Sequence, residues 1–159
     1  MPRKTDPSAP FILGWEEWVA LPEPGLPAIK VKVDTGARTS ALHAYNVEPF
    51  GSARARRVRF DVHPLPRRRD VAIECTARLI DRREVRSSSG EREQRYVIET
   101  EISIGGRRWP IEITLANRHM MTYRMLLGRQ AIQAGMLVDP GSSFLQPKLH
   151  YNVYARARR

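Results

Sequence analysis

The sequence is dominated by short segments in which apolar and polar residues alternate, and this pattern limits the fold more than any other feature. Between Ala28 and Asp34, isoleucine and valine alternate with two lysines, so one side of an extended chain is apolar and the other is polar. The same alternation recurs in four later segments, at 58–62, 71–79, 96–104 and 109–115. Such segments, separated by Pro, Gly and charged turns, are typical of an all-β sandwich or barrel.

Glycines and one short helical segment organise the second half of the chain. Gly105-Gly106 lies between two alternating segments and predicts a β-hairpin with a two-residue turn, because glycine readily adopts the positive φ angles that such turns need. The only convincing helix is predicted over 128–134, closed by Gly135. A buried strand is expected after it, over 136–138, ending at Asp139-Pro140.

The chain length of 159 residues fits one domain, which we assign to residues 11–154. Residues 1–10 are rich in proline and predict a disordered tail, and residues 155–159 predict a basic tail. No apolar stretch is long enough to cross a bilayer, and no signal-peptide pattern opens the chain. The single cysteine, Cys75, lies in an apolar run and is interpreted as a core residue. The lack of paired cysteines, of a signal peptide and of a spanning stretch together predicts a cytoplasmic location and no membrane partner.

Positive charge is the main compositional bias, with 27 Lys and Arg against 17 Asp and Glu and a net charge of +10. This bias predicts an anionic partner, either an acidic polypeptide or nucleic acid, with a plain solvated arginine-rich surface as the alternative. Nucleic acid is less favoured, because the arginine clusters lack interleaved aromatic residues and no zinc-finger or RNA-recognition pattern is present. The clusters lie at 54–59, 67–69, 82–86 and 156–159.

The candidate catalytic residue is Asp34, which an apolar strand delivers into the turn Asp34-Thr35-Gly36. At the end of a strand the carboxylate faces solvent or substrate, the Thr35 hydroxyl can satisfy local backbone groups, and Gly36 permits a close backbone approach. The motif by itself is a weak signal, since an ordinary turn after a strand has the same composition. A second element about ninety residues downstream strengthens it: Leu126-Leu127-Gly128-Arg129, which leads into the predicted helix.

Together these two elements resemble the retropepsins. The closer resemblance is to the bacterial retropepsin-like aspartic peptidase family long labelled ATP-dependent zinc proteases, and it is carried by residues 31–44, 125–129 and 138–140. The resemblance implies a closed β-barrel with one short C-terminal helix. It also implies a catalytic strand that crosses a loop supported by Leu127, Gly128 and Arg129, and a polar flap around 86–92.

The family resemblance implies an aspartic endopeptidase. Because the chain has one Asp-Thr-Gly, it implies a homodimer in which Asp34 of each copy shares a proton and activates water, with Thr35 holding the two turns together. Family members also resemble proteins encoded beside glutamate ligases that extend the tail of a small-subunit ribosomal protein, which suggests acidic, glutamate-rich substrates. We assign substrate binding to six residues: Ala37, Arg38, Arg86, Ser89, Gly90 and Arg92.

One departure from viral retropepsins affects this assignment. Those enzymes carry an aspartate that pairs with the arginine of the Gly-Arg step, whereas this chain has Arg38 at that position. Arg129 is therefore expected either to pair with another acid, such as Asp139 or Glu112, or to belong to a differently built dimer.

Two other functions remain open. The main alternative is a non-catalytic basic β-barrel that binds ribosomal RNA or an acidic protein. A metal-dependent hydrolase is weaker, since there is no His-Glu-x-x-His motif and the histidines lie on separate segments, at positions 43, 63, 119 and 150. No phosphate-binding loop is present either, so no metal and no cofactor are predicted.

Overall fold

The computed structural model describes residues 9–66, 68–86, 90–117 and 122–157, and it is built almost entirely from β-strands. The side chains of residues 155–157 are not part of that description. The strands are β1 (Phe11–Leu21), β2 (Leu26–Asp34), β3 (Ser40–His43), β4 (Tyr45–Ser52), β5 (Ala55–Val62), β6 (Ile73–Arg86), β7 (Arg92–Ile104), β8 (Arg107–Ala116), β9 (Met125–Gly128) and β10 (Met136–Ser143). A 3₁₀ turn covers Arg129–Ala131, and one α-helix, α1, covers Asn152–Ala157.

All ten strands belong to one sheet, in the order β10-β1-β2-β9-β3-β8-β7-β6-β5-β4. A further pairing of β1 with β7, at Ala20 and Ser103, closes six of these strands into a barrel: β1, β2, β9, β3, β8 and β7. Strands β6, β5 and β4 extend the sheet beyond β7, and β10 lies outside the barrel beside β1. The predicted all-β closed barrel with a single short helix is confirmed.

The alternating segments form the strands that their pattern predicts, because the apolar side of each faces one common core. In β2, Ile29 and Val31 are fully buried while Lys32 between Val31 and Val33 is exposed. The interpretation of Cys75 as a core residue is also confirmed: it is fully buried in the apolar cluster. Burial raises the pKa of the Cys75 thiol to about 12, so the group is not a reactive thiolate at neutral pH.

The Gly105-Gly106 hairpin is confirmed as well. It joins β7 to β8 with Ile104 paired to Arg107, and both glycines have positive φ angles, 58° and 81°. These are the backbone conformations that a two-residue hairpin turn requires.

The predicted helix over 128–134 is wrong in extent, since only the three-residue 3₁₀ turn forms there. The Trp109 indole N–H donates a 2.8 Å hydrogen bond to the Ala131 carbonyl oxygen. In a continuing α-helix that oxygen would accept from the amide of Gly135. The helix that does form, α1, lies at the C-terminal end and includes part of the segment expected as a basic tail. Among the described residues, no helix combines the length and apolar character needed to cross a bilayer.

The buried strand predicted over 136–138 is also wrong in its surroundings and its end. The strand β10 continues to Ser143, and among the described residues it pairs only with β1. Leu137 is 54% exposed because β10 lies at the edge of the sheet, outside the barrel. The predicted N-terminal tail lies outside the described residues up to position 8, and so do positions 158 and 159.

Candidate active site

The two motifs that are ninety residues apart in sequence lie side by side in the fold. Strand β9 lies between β2 and β3, and its parallel pairing with β2 places Leu127 beside Val33 and Gly128 beside Asp34. Asp34 is therefore the last residue of a central barrel strand, with the Gly-Arg step directly next to it. The two motifs that carry the retropepsin resemblance are therefore adjacent in the sheet.

The turn after β2 holds the Asp34 carboxylate with its own backbone. The Gly36 amide donates to Asp34 Oδ1 at 3.0 Å, and the Ala37 amide donates to the Asp34 carbonyl oxygen at 3.2 Å. A Cβ at position 36 would lie 3.2 Å from Oδ1, a tight contact that the carboxylate would have to shift to accommodate. Asp34 is half-buried, whereas Thr35 and Gly36 are exposed, so the turn presents the carboxylate at the surface.

Arg129 supports this turn with two hydrogen bonds. Its guanidinium Nη1 donates to the Gly36 carbonyl oxygen at 3.2 Å, and its amide donates to the Ala37 carbonyl oxygen at 2.8 Å. The expected pairing of Arg129 with Asp139 or Glu112 is wrong. Asp139 accepts hydrogen bonds from Gly141 and Ser142, and Glu112 pairs with Arg83. Arg129 therefore donates hydrogen bonds to backbone carbonyl groups of the turn, whereas the comparison with viral enzymes predicted an acidic partner.

Gly128 is required by the close approach of two backbones. A Cβ at this position would lie 2.5 Å from the Thr39 carbonyl carbon and 2.6 Å from its oxygen. The buried Gly128 amide donates to Ser40 Oγ at 3.0 Å, which ties β9 to the start of β3. Leu127, the third predicted support residue, is fully buried in the barrel core.

Two predicted substrate-binding residues, Ala37 and Arg38, directly follow the Asp34-Thr35-Gly36 turn. Ala37 is half-buried, and Arg38 is exposed and takes part in no ion pair among the described residues. The Gln130 amide donates to the Arg38 carbonyl oxygen at 3.1 Å, so the backbone of Arg38 is held while its guanidinium is free to meet a ligand.

The other predicted substrate-binding residues lie on the hairpin formed by β6 and β7. Arg86 and Arg92 are cross-strand partners at its end, and Arg92 approaches Glu84 at 3.5 Å. Ile98 of β7 pairs with a residue of β8 that in turn pairs with Ser40, at the start of β3. Arg92 lies six residues from Ile98 along β7, in the direction away from Asp34. At the rise of an extended strand, six residues correspond to roughly 20 Å. Gly90 is exposed with a φ of 84°, and Ser89 lies outside the described residues. Within one chain, therefore, the strand register does not bring Arg86 and Arg92 to the Asp34-Thr35-Gly36 turn.

A pocket next to Asp34 was missed by the sequence analysis. It is a cavity of about 280 Å³ lined by Trp15, Lys32, Thr122, Tyr123 and Leu126. Lys32 and Asp34 are two residues apart on the same side of β2, hence about 7 Å apart along the strand. Only the exposure of Lys32 was visible in the alternating pattern, because the other lining residues come from different strands and a loop.

Tyr123 contributes a hydroxyl to this region that stays protonated. Its O–H donates to Glu16 Oε1 at 2.7 Å, and its ring packs edge-on against Trp15 with centroids 6.0 Å apart. Burial, and then the hydrogen bond to Glu16, raise the pKa of Tyr123 to about 12. Lys32 is consequently the only charged side chain among the residues that line the pocket.

The histidines are spread over the fold in the described part of the chain. His43 is buried in β3, His63 contacts the Val71 carbonyl oxygen at 3.2 Å, and His150 is exposed. His119 lies outside the described residues. No group of three or more His, Cys, Asp or Glu side chains with the arrangement of a metal site occurs among the residues that were described.

A family model and several relatives match this chain. A family model described as "RimB-like: Retropepsin-like aspartic endopeptidase RimB" matches residues 12–149. Two relatives named "Probable alpha-L-glutamate ligase" are similar over 84% of this chain: one from Shewanella pealeana, 50% identical over 134 residues, and one from Parasynechococcus marenigrum, 52% identical over 133. The matched parts are only 29% and 28% of those proteins, so the chain spans less than a third of their length.

A solved structure shares the fold. It is a Legionella pneumophila protein of unknown function, which superposes with a TM-score of 0.71 at 26% identity. The match covers 86% of this chain and 98% of the Legionella chain. The barrel with its appended strands is thus a fold that a natural chain of similar extent adopts.

Proposed function

Because the chain belongs to the RimB-like family of retropepsin-like aspartic endopeptidases, we propose that it hydrolyses peptide bonds with a pair of Asp34 carboxylates, one from each of two copies. The observation that carries this proposal is the catalytic turn. Asp34 ends a central strand, its carboxylate is oriented by the Gly36 amide, and the turn is supported by the Arg129 guanidinium.

The need for two copies follows from the single Asp-Thr-Gly in the chain. Thr35 and Gly36 are exposed, so the tip of the turn is accessible to the same turn of a second copy. A two-fold symmetric arrangement brings like residues together and would place the two Asp34 carboxylates face to face. Thr35 would then hydrogen-bond across the dimer axis.

The reaction needs only these carboxylates and water. Two carboxylates at hydrogen-bonding distance share one proton. The ionised one removes a proton from water as the water oxygen attacks the scissile carbonyl carbon, and the protonated one donates its proton to the carbonyl oxygen. When the tetrahedral intermediate collapses, the carboxyl group that took the proton from water gives it to the amine nitrogen as the C–N bond breaks. The other carboxylate removes a proton from a hydroxyl of the intermediate, which restores the pair with one shared proton.

Acidic, glutamate-rich peptides are the substrates that the surroundings of Asp34 favour. Lys32 lines the neighbouring pocket, and the guanidinium of Arg38, which follows the turn, has no ion-pair partner among the described residues. Both flanks of the site therefore carry a positively charged side chain. The names of the relatives point in the same direction, since a glutamate ligase acts on glutamate. We therefore propose that this chain cleaves or trims glutamate-rich tails.

The proposal is tested by assaying the purified protein on oligoglutamate and on neutral peptides of equal length. We expect cleavage of oligoglutamate, inhibition by a pepstatin-type inhibitor, and no effect of a chelator. Asp34→Asn should remove the activity while the circular dichroism spectrum stays unchanged. Activity that survives Asp34→Asn, or that a chelator removes, would overturn the aspartic mechanism and favour a metal-dependent hydrolase.

Lys32 provides a test of substrate preference. Lys32→Gln removes the one charge among the residues lining the pocket, and we expect kcat/KM on oligoglutamate to fall about tenfold, the loss of one partly exposed charge-assisted contact. Neutral peptides should be cleaved at an unchanged rate. An equal loss on both kinds of peptide would show that Lys32 does not read substrate charge.

A second candidate function, binding without catalysis, is favoured by the exposed arginines of the β4–β5 hairpin. Arg54 and Arg56 are exposed and take part in no ion pair among the described residues. A basic barrel of this kind could hold ribosomal RNA or an acidic protein. Binding that weakens steeply with salt, together with an inactive wild-type protein on all peptides, would favour this function.

A further inference from the structure

The sheet opens between β5 and β6, away from the catalytic turn. The two strands pair from Val62 and Ile73 as far as Arg57 and Arg78, and there the pairing stops. Beyond this point β6 continues along β7 to Arg86. From Leu79 to Arg86, the edge of β6 that faces away from β7 has no strand partner among the described residues. An unpaired edge of this length carries free backbone donors and acceptors.

The opening is a real groove with two connected parts. One part is a cavity of about 480 Å³ lined by Ala53, Arg54, Ala55, Arg56, Arg57, Arg78, Leu79 and Ile80. The other is a cavity of about 430 Å³ that reaches Phe50, Arg82 and Tyr96. Arg56, Leu79 and Ile80 line both cavities, so the two cavities adjoin each other at the opening between the two hairpins. We refer to it as the hairpin groove.

Positive charge dominates the hairpin groove. Arg54 and Arg56 are exposed on one side without an ion pair in the described part of the chain, and Arg82 lies over the Tyr96 ring at 5.6 Å on the other. The lining carboxylate Asp81 pairs with Arg83 at 2.7 Å, and this hydrogen bond holds its pKa below the usual value. The groove therefore offers arginines to an anionic ligand while its own acid is already neutralised.

We propose that the hairpin groove binds an extended acidic polypeptide segment, which adds to the free edge of β6 as a further strand. The unpaired edge supplies main-chain hydrogen bonds, and the arginines select carboxylate side chains. A polypeptide is favoured over nucleic acid because only a polypeptide backbone matches the donor and acceptor spacing of a strand edge. The free edge runs from Leu79 to Arg86, and alternate residues along it direct their backbone groups outward. The Arg82 amide already donates to Asp81 Oδ1 at 2.7 Å, so the remaining groups are available for such pairing.

The position of the groove makes it an accessory site for the proposed substrate. Leu79 pairs with Ile98, Ile98 with Ile113, and Ile113 with Ser40, so the groove is three strand spacings from the start of β3, or roughly 15 Å across the sheet. An extended chain covers about 3.5 Å per residue, so roughly four to five residues span this distance, and a peptide of roughly ten residues spans it with residues left over to occupy both sites. The required length of the substrate rests on the proposed function, whereas binding in the groove does not depend on catalysis.

Binding is tested with a fluorescent 12-residue oligoglutamate and the Asp34→Asn protein, which holds the peptide without cleaving it. We expect Arg54→Ser/Arg56→Ser to raise the dissociation constant about tenfold in fluorescence anisotropy. The matched control is Arg108→Ser/Lys148→Ser, which removes the same charge from exposed positions outside the groove and should change it less than about twofold. An equal loss in both variants would show that only net charge matters and would overturn the proposal.

A second peptide tests the strand pairing itself. Oligoglutamate with alternate amides N-methylated keeps its charge but loses half of its backbone donors, so we expect it to bind about tenfold more weakly than the unmodified peptide. Equal binding would mean that the peptide does not pair with the strand edge and that the arginines only protect this exposed edge. That result would overturn the proposal. Tighter binding of a single-stranded oligonucleotide of equal length would also overturn the proposal, if that binding depends on Arg54 and Arg56. Because the protein used is inactive, these results stand whether or not the peptidase activity is found.

Discussion

At the scale of single residues, Gly128 is the position of the candidate site that least tolerates an added side chain. Gly128→Ala would place a Cβ within 2.6 Å of the Thr39 carbonyl group, which is backbone and cannot swing aside. We expect a loss of about 2–3 kcal/mol in the free energy of unfolding and a melting temperature lower by roughly 5–10 °C. Gly141→Ala is the control, since its Cβ would meet only Asp139 Oδ1 at 3.5 Å. Equal melting temperatures for the two variants would contradict the close approach.

Arg129 tests whether the turn needs its support for catalysis. Arg129→Gln removes the hydrogen bond from the guanidinium to the Gly36 carbonyl oxygen. Because Arg129 is exposed, stability should change little, but a displaced Asp34 should lower kcat by about 10- to 100-fold. The measurement is kcat on oligoglutamate beside a thermal melt, with Arg108→Gln as the control. An unchanged kcat would show that the backbone bonds alone orient the turn.

At the scale of elements, Ser40 links β3, β9 and β8. Its hydroxyl accepts from the buried Gly128 amide, and its carbonyl oxygen accepts from Thr114. Ser40→Ala leaves that amide without its acceptor, which should cost about 1–3 kcal/mol in chemical denaturation. Ser142→Ala, which loses only a bond to the exposed Asp139 carboxylate, should cost less than about 1 kcal/mol. If Ser40→Ala were as stable as wild type, Ser40 would not hold the two strands together.

The same scale shows which elements the sequence could predict. The Gly105-Gly106 hairpin was predictable because the turn depends on two adjacent residues and their φ angles. The helix over 128–134 was not, because the group that interrupts it, the Trp109 indole, comes from β8. Likewise, an apolar run such as 136–138 does not reveal whether a strand lies inside the barrel or at the edge of the sheet.

For the candidate site, the sequence predicted the main elements but not their contacts. The neighbouring positions of Asp34 and Gly128 followed from the two motifs and their resemblance to a known family. The partner of Arg129 is a backbone carbonyl group, which has no signature in the sequence. The Lys32 pocket combines Trp15, Tyr123 and Leu126 from separate parts of the chain, so it became visible only once the strand order was known.

At the scale of the whole molecule, the account requires two chains for one active site. The tip of the single Asp34 turn is exposed at the surface, and in the proposed mechanism the second carboxylate comes from another copy. Mixing wild-type protein with Asp34→Asn protein, after unfolding and refolding them together, distinguishes a shared site from independent ones. Circular dichroism and sedimentation of the mixture check that both chains refold and associate equally.

Activity as a function of the wild-type fraction is the most direct measurement. If each site needs Asp34 from two chains, the activity of an equal mixture falls to about one quarter of the wild-type value, because only dimers of two wild-type chains are active. If each chain acts by itself, an equal mixture keeps about one half and the activity falls linearly. A site shared by two chains predicts the quadratic fall, and a linear fall would contradict the shared site.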